Sequence, residues 1–227
     1  YRVVRAYSYN MYSDMYFSDL DGDWDANANN IFGENADNID GYADVFVGMI
    51  TLNSHTELSN YLDKVFRYEL SPDTTGGWMT KMLLPNGVTF SNEFNDSIAN
   101  ASPSPPWFDL KMYASGGMVT PTGPKYCDSI NSGYSLNSVI AHGSPDLYQL
   151  GSNVTSPMVL ALTNTNRMNF GTFVCCNVGE WNLGSTNGDC IAENSVFHAP
   201  AGFIGVCMNY ESGWVRVAEF FNYSIMY

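Results

Sequence analysis

The sequence predicts an α/β fold with a mainly parallel sheet flanked by helices, and three observations lead to it. Two apolar runs, Ser138-Val139-Ile140-Ala141 and Gly171-Thr172-Phe173-Val174, stop abruptly at His142 and at Cys175-Cys176. Uninterrupted apolar runs of four to five residues bounded by turn formers read as buried strands of a parallel sheet. Strand-like and helix-like segments alternate over much of the remaining chain, which is the pattern of α/β proteins. A length of 227 residues with 45% hydrophobic content suffices for one substantial core or two small subdomains.

Taken in order, residues 1–36 are polar and aromatic and contain a dense acidic loop. The tyrosines between Tyr1 and Tyr16 suit packing or a partner surface. Residues 42–50 are expected to form a buried strand. Ser54-His55-Thr56-Glu57 fits a capping box. After it, Leu58, Tyr61, Leu62, Val65 and Phe66 fall at helical spacing, and Pro72 ends the helix. With a strand over residues 78–84 this makes a βαβ unit. Residues 85–124 are rich in Asn, Ser, Gly and Pro and read as long loops around a short element at 107–112. The His strand follows, then a helix near 157–162, the Cys strand, a segment near 191–197, and a last strand over 202–207. The organisation expected is a single domain, 1–227. Its parts are an N-terminal portion with the acidic loop (1–84), a loop-rich insertion (85–126) and a catalytic portion (127–227).

Charge narrows the partners. Nine Lys and Arg against 23 Asp and Glu give a net charge of −14. Phosphate binding needs basic clusters, so nucleic acid and anionic membrane are excluded as expected partners. No window approaches the ~18–20 apolar residues of a membrane span. Tyr1-Arg2-Val3-Val4-Arg5 lacks the long apolar segment and cleavage site of a signal peptide. Four N-x-S/T tripeptides, at Asn95, Asn100, Asn153 and Asn222, and a Lys-poor composition point to a secreted or cell-surface protein. Five cysteines leave at least one thiol unpaired within the chain.

The chemistry sits at the two strand ends. Ligands of open α/β sheets gather at carboxyl ends of strands. Neighbouring strands ending in His142 and in Cys175-Cys176 would place an imidazole beside a thiol, as nucleophilic thiol catalysis requires. Adjacent side chains of a strand point to opposite faces, so only one of the two cysteines can face His142. Gly143 can offer an unobstructed backbone N–H, and Gly179 allows a sharp turn after the nucleophile.

His142-Gly143-Ser144 and Cys175-Cys176-Asn177-Val178-Gly179-Glu180-Trp181 resemble the corresponding blocks of the gingipain family of cysteine peptidases, within the caspase-like group. Ile130-Asn131-Ser132-Gly133-Tyr134 resembles that family's lead-in to the His strand. Ala43-Asp44-Val45-Phe46-Val47-Gly48-Met49-Ile50 is also similar, with Met49 where family members usually carry Arg. The resemblance is patchy between residues 85 and 125. It implies a caspase-like fold, with Cys176 as nucleophile, His142 as base or general acid, and the N–H groups of Gly143 and Cys176 as oxyanion donors. It implies further sequence before Tyr1, hence a sheet lacking its N-terminal part or an additional polypeptide completing that side. Peptide or protein is the substrate it implies. The family's taste for basic P1 residues would need an acidic pocket base, for which Glu93 and Asp96 are candidates, with Tyr210 and Trp214 as aromatic walls. The alternatives are a sortase-like transpeptidase and a non-catalytic surface module retaining the peptidase fold.

A second constellation spans residues 21–34. Counted from Asp23, oxygen side chains occupy loop positions 1, 3, 5 and 7 (Asp23, Asp25, Asn27, Asn29), with Glu34 at 12; Asp21 precedes them. That spacing suits structural Ca2+. Ala28 stands where glycine is expected, and Ile31 lies one place past the usual apolar position. The histidines and cysteines show no zinc spacing and the glycines form no nucleotide loop, so no catalytic cofactor is expected.

Overall fold

The structure, a computed structural model, describes residues 2–6, 9–39, 42–101, 107–183 and 188–213. The chain divides into two compact units, Tyr1–Thr51 and Leu52–Tyr227.

In the first unit, strands β1 (Arg2–Ala6) and β2 (Tyr9–Ser13) form an antiparallel hairpin, followed by the single-turn helix α1 (Met15–Ser18). The acidic loop is closed by reciprocal backbone bonds between Asp23 and Asn38, at 2.9 and 3.0 Å. Buried Trp24 packs edge-on to Tyr16. Residues 42–50 do not form the buried strand expected of them: Tyr42, Phe46 and Ile50 are exposed. The Asp44 and Val45 N–H groups both donate to the Ser18 carbonyl instead. An apolar run becomes a strand only where a neighbouring edge supplies ladder partners. Among the described residues of this unit, the one ladder is β1–β2.

The second unit opens with helix α2 (His55–Leu70), capped as its sequence predicts: the Glu57 N–H donates to Ser54 Oγ at 3.2 Å. Its buried face differs from the apolar stripe. Leu58, Leu62 and Phe66 are exposed, whereas Glu57 and Lys64 are buried and Tyr61 packs on the core. Lys64 is fully buried, and its ammonium donates to the carbonyls of Ser195 (3.2 Å), Val196 (2.9 Å) and Ala201 (2.9 Å). A lysine stem is apolar, and these carbonyls satisfy the head group. Burial, then Arg67, draws its pKa down to about 7.

Strand β3 (Lys81–Pro85) leads to helix α3 (Glu93–Ala101), β4 (Phe108–Met112), helix α4 (Gly123–Ser132) and β5 (Leu136–Ile140). The stretch read as long loops thus carries α3 and the start of α4. A small antiparallel sheet of β6 (His142–Ser144), β7 (Leu147–Gln149) and β8 (Asn153–Thr155) follows, then α5 (Ser156–Leu160) and β9 (Asn169–Val174). The single turn α6 (Ile191–Glu193), a π-helical turn (Asn194–His198) and β10 (Phe203–Met208) complete the described chain. Strands β10, β9, β5, β3 and β4 lie in that order, all parallel. One core layer joins Leu83, Val139 and Phe173 to Tyr126 of α4; on the other face Met82 and Leu84 pack on Ile98 of α3. Alternate residues of β3 therefore serve opposite layers.

Asp73, between α2 and β3, pairs with Arg167 just before β9 at 2.7 Å. The Thr75 hydroxyl and N–H, and then Arg167, hold the Asp73 carboxyl down to about 2. A depressed carboxylate contributes stability that is present above its unfolded pKa near ~3.9 and lost as pH falls through the folded value. Asp73→Asn should therefore flatten the decline in urea midpoint between about pH 4 and pH 2; an unchanged decline would remove Asp73 from the linkage.

Candidate active site

The β5–β9 ladder sets the geometry. Ile140 pairs with Val174, and the Ala141 N–H donates to the Val174 carbonyl at 3.2 Å. His142 and Cys176 each stand two residues beyond that pair, at one level of the sheet's carboxyl edge. Strand order reverses between β3 and β5, since β4 lies outward on one side and β9 and β10 on the other. Open α/β sheets bind ligands at such a reversal. Ala141 and Cys175 belong to the core layer that holds Val139 and Phe173. His142 and Cys176, one residue further along each segment, lie outside that buried layer. Cys175 is 1% exposed, Cys176 is half-buried and His142 is exposed.

The loop after Cys176 is held in a special conformation. Asn177 adopts φ 59°, a left-handed geometry that Asn tolerates better than most residues. Its carboxamide donates to buried Glu180 at 2.7 Å. The sharp turn is thus made at Asn177 and not at Gly179. Gly179 serves close approach: a Cβ there would lie 3.1 Å from the Met208 carbonyl oxygen. Helix α6 ties the two loops together, with the Ile191 N–H donating to Pro145 and the Ala192 N–H to Val178. A Cβ on Gly143 would lie 2.7 Å from the Cys176 carbonyl oxygen and 3.0 Å from the Cys175 Cβ. Only glycine lets the His loop and Cys loop touch here.

Burial differentiates the thiols. It pushes Cys127 up to about 11 and Cys190 up to about 12, and raises Cys175 and Cys207 as well. Thiolate is the reactive form, so these four are poorly nucleophilic near neutrality.

The remaining candidates are scattered. Glu93 is exposed at the start of α3. Asp96 accepts from Lys111 at 2.6 Å and from the Tyr113 hydroxyl at 3.3 Å, so its charge is already neutralised toward β4. Tyr210 donates to Asn182 at 2.7 Å and packs near Trp181. Trp214 lies outside the described residues. Sequence reasoning missed Phe90, whose ring centroid lies 4.8 Å from that of His142; its place in a loop-rich stretch gave no signal.

In the acidic loop, the carboxamides of Asn27 and Asn29 both reach Glu34 Oε1 at 2.6 Å. Asp25 Oδ1 accepts from the Asn29 and Asn30 N–H groups, and Asp23 Oδ1 from the Asp25 N–H. Ala28 has φ 57°. Asp21 stands apart from this set: its carboxylate clusters with those of Asp19 and Asp44, all within 4.8 Å. Asp19 is buried with Oδ2 lacking a hydrogen-bond partner. Asp19 and Asp44 are 25 positions apart, beyond the reach of a loop template.

The family model for Peptidase family C25 matches residues 2–227. No curated protein matches. Among solved structures, the chain is similar to the crystal structure of the Arg specific cysteine proteinase gingipain R (RgpB), at 23% identity and a TM-score of 0.66, covering 82% of this chain and 45% of that one. It is similar to a chain described as "Structure of Protease" at 18% identity and a TM-score of 0.69, covering 93% and 43%. It is also similar to the complex of Porphyromonas gingivalis RgpB pro- and mature domains, at 21% identity and a TM-score of 0.64, covering 82% and 46%. The chain spans less than half the length of these structures.

Two substitutions test this geometry. Gly143→Ala should destabilise the second unit by roughly 1–3 kcal/mol, because the new methyl meets backbone that cannot swing away; a melting curve unchanged from wild type would contradict the contact. Ala28→Gly should stabilise the acidic loop by roughly 0.5–1 kcal/mol by relieving left-handed strain. Urea titration of the two variants reads both effects.

Proposed function

The chain belongs to peptidase family C25, a family of cysteine peptidases, and from that premise we propose a secreted or cell-surface endopeptidase working through a Cys176–His142 dyad. The observation that carries the reading is the β5–β9 register, in which Ile140 pairs with Val174 two residues before His142 and Cys176. His142 takes the Cys176 proton, and the thiolate attacks the scissile carbonyl carbon. The N–H groups of Gly143 and Cys176 are the proposed donors to the oxyanion. As the C–N bond breaks, His142 returns the proton to the leaving amine. The thioester is then hydrolysed by water, whose proton His142 accepts before thiol and carboxylate are released.

A preference for Arg or Lys at P1 is part of the proposal, supported by the charge of −14 and by the Arg specific structural relative. Glu93 is the better acidic candidate, since Asp96 is occupied by Lys111. Exposed Asn100 and Asn153 suit a secreted chain, whereas Asn95 is buried and hydrogen-bonded and makes a poor glycan acceptor. The complex of RgpB pro- and mature domains supports a second polypeptide as partner.

A structural Ca2+ in the acidic loop is part of the proposal, supported by the spacing of its oxygen side chains. Asp23, Asp25, Asn27, Asn29 and Glu34 would hold it with hard oxygens, and the left-handed residue at loop position six is present as Ala28. The ion would cross-link the loop. Asp21 belongs with Asp19 and Asp44 and is left out of this set.

The test of the dyad is labelling with a peptidyl acyloxymethyl ketone, read by mass spectrometry. Cys176 should be the modified cysteine, and Cys176→Ala or His142→Ala should each reduce peptide cleavage roughly 10⁴-fold. Modification of Cys175, or cleavage surviving Cys176→Ala, would overturn the assignment. Added Ca2+ should raise the melting temperature of wild type and not of the Asp23→Ala/Asp25→Ala double variant; identical shifts would dismiss the loop as the site.

A further inference from the structure

We propose that Phe90 is a positioning residue for His142, orienting the imidazole by ring packing; the proposal rests on the dyad described above. The two ring centroids lie 4.8 Å apart with planes tilted by 59°. Among the described residues, no side chain forms a hydrogen bond or ion pair with the His142 imidazole. An exposed histidine samples several rotamers, and only some of them would bring the ring to the thiol. Packing against Phe90 selects among them.

Phe90 can do this because its own backbone is fixed. The turn after β3 begins with Asn86, at the level of Ile140, and its N–H donates to Met112 at 3.0 Å. The Gly87 N–H donates to the Ile140 carbonyl at 2.7 Å, two residues before His142. The Phe90 N–H closes the turn on the Gly87 carbonyl at 3.0 Å. A Cβ on Gly87 would lie 3.1 Å from the Phe90 ring and 2.8 Å from the Gln149 carbonyl, so the turn lies tight against the strand facing His142. The Asn86 carboxamide donates to the Ser91 carbonyl at 2.9 Å and accepts from buried Asn95 at 2.6 Å. Asn95 also donates to Ser138 of the His strand at 3.1 Å. The turn bearing Phe90 and the strand bearing His142 are thus one hydrogen-bonded body.

The ring has an electrostatic consequence as well. An aromatic face attracts a cation beside it. When His142 holds the proton taken from Cys176, Phe90 favours that imidazolium without introducing a carboxylate. No bond forms or breaks at Phe90.

The experiment uses this chain with substitutions at Phe90, followed by steady-state peptide hydrolysis and by NMR of histidine-labelled protein. In wild type, the His142 ring protons should show an upfield ring-current shift, which Phe90→Leu should abolish while the melting temperature is kept. Phe90→Leu should lower kcat roughly tenfold with KM within about twofold, because orientation of the base and not substrate binding is lost. Phe90→Tyr should restore both the shift and kcat. A ring-current shift retained in Phe90→Leu, or an equal kcat for Leu, Tyr and wild type, would overturn the proposal. Wild-type protein with neither cleavage nor Cys176 labelling would instead overturn the dyad reading, and the positioning role with it.

Discussion

The parallel ladder between β5 and β9 is the constraint on which the site depends. Side chains alternate with a period of two, so a slip of one residue would exchange every inward and outward position of the moving strand. Here the consequence is unusually sharp, because two cysteines follow β9 in succession. In the observed register Cys175 enters the core with Ala141 and Phe173, and Cys176 stays outside it, half-buried, as far beyond the ladder as His142 is. The offset of 34 between Ile140 and Val174 is the same offset that separates His142 from Cys176. The sheet therefore determines which thiol is available.

Several contacts oppose such a slip. Tyr148, Phe173 and Phe203 form a chain of edge-on rings, with centroids 5.2 and 5.8 Å apart, tying the small sheet after His142 to β9 and β10. Gly143 allows backbone of the His and Cys loops to meet, and α6 bonds to both loops. On the other side of β10, Lys64 gathers three carbonyls from the segment between α6 and β10. Removing the ammonium would leave those carbonyls buried without donors, a cost of roughly 1–3 kcal/mol for each. A hydrogen-bond donor thus does what an apolar side chain at the same place could not.

The fold class, the His and Cys strands and the capped start of α2 were legible because each rests on local signals: short apolar runs, turn formers and a capping box. The core-facing side of α2 was not. Leu58, Leu62 and Phe66 follow helical spacing, yet the helix buries Glu57, held locally by Asn53 and Ser54, and Lys64, whose partners lie more than 100 positions away. (Glu57 closes the cap beside Asn53, which reaches Asp189.) Helix α3 was hidden because Asn, Ser and Asp favour turns, and only burial of Ile98 against Met82 and Leu84 overrides that preference. Residues 42–50 failed in the opposite sense: β propensity is present, and a ladder partner is absent among the described residues of that unit. Asp19 and Asp44 show the same limit, since a carboxylate cluster assembled across a loop has no sequence spacing to read.

The buried polar groups beneath the His strand hold it without a carboxylate, in a chain this acidic. Asn86, Asn95 and Ser138 hold one another through 2.6 and 2.7 Å bonds in a region where each side chain is essentially inaccessible. A carboxylate in their place would need a cationic partner or would suffer a desolvation penalty of several kcal/mol. Among the described residues, Lys111 already neutralises Asp96 and Arg167 is occupied by Asp73. Carboxamides supply donor and acceptor together and do not titrate, so the network keeps its geometry as pH changes. Rigidity under the strand and the aromatic ring beside the imidazole are, on the proposal above, two separate means of fixing its orientation.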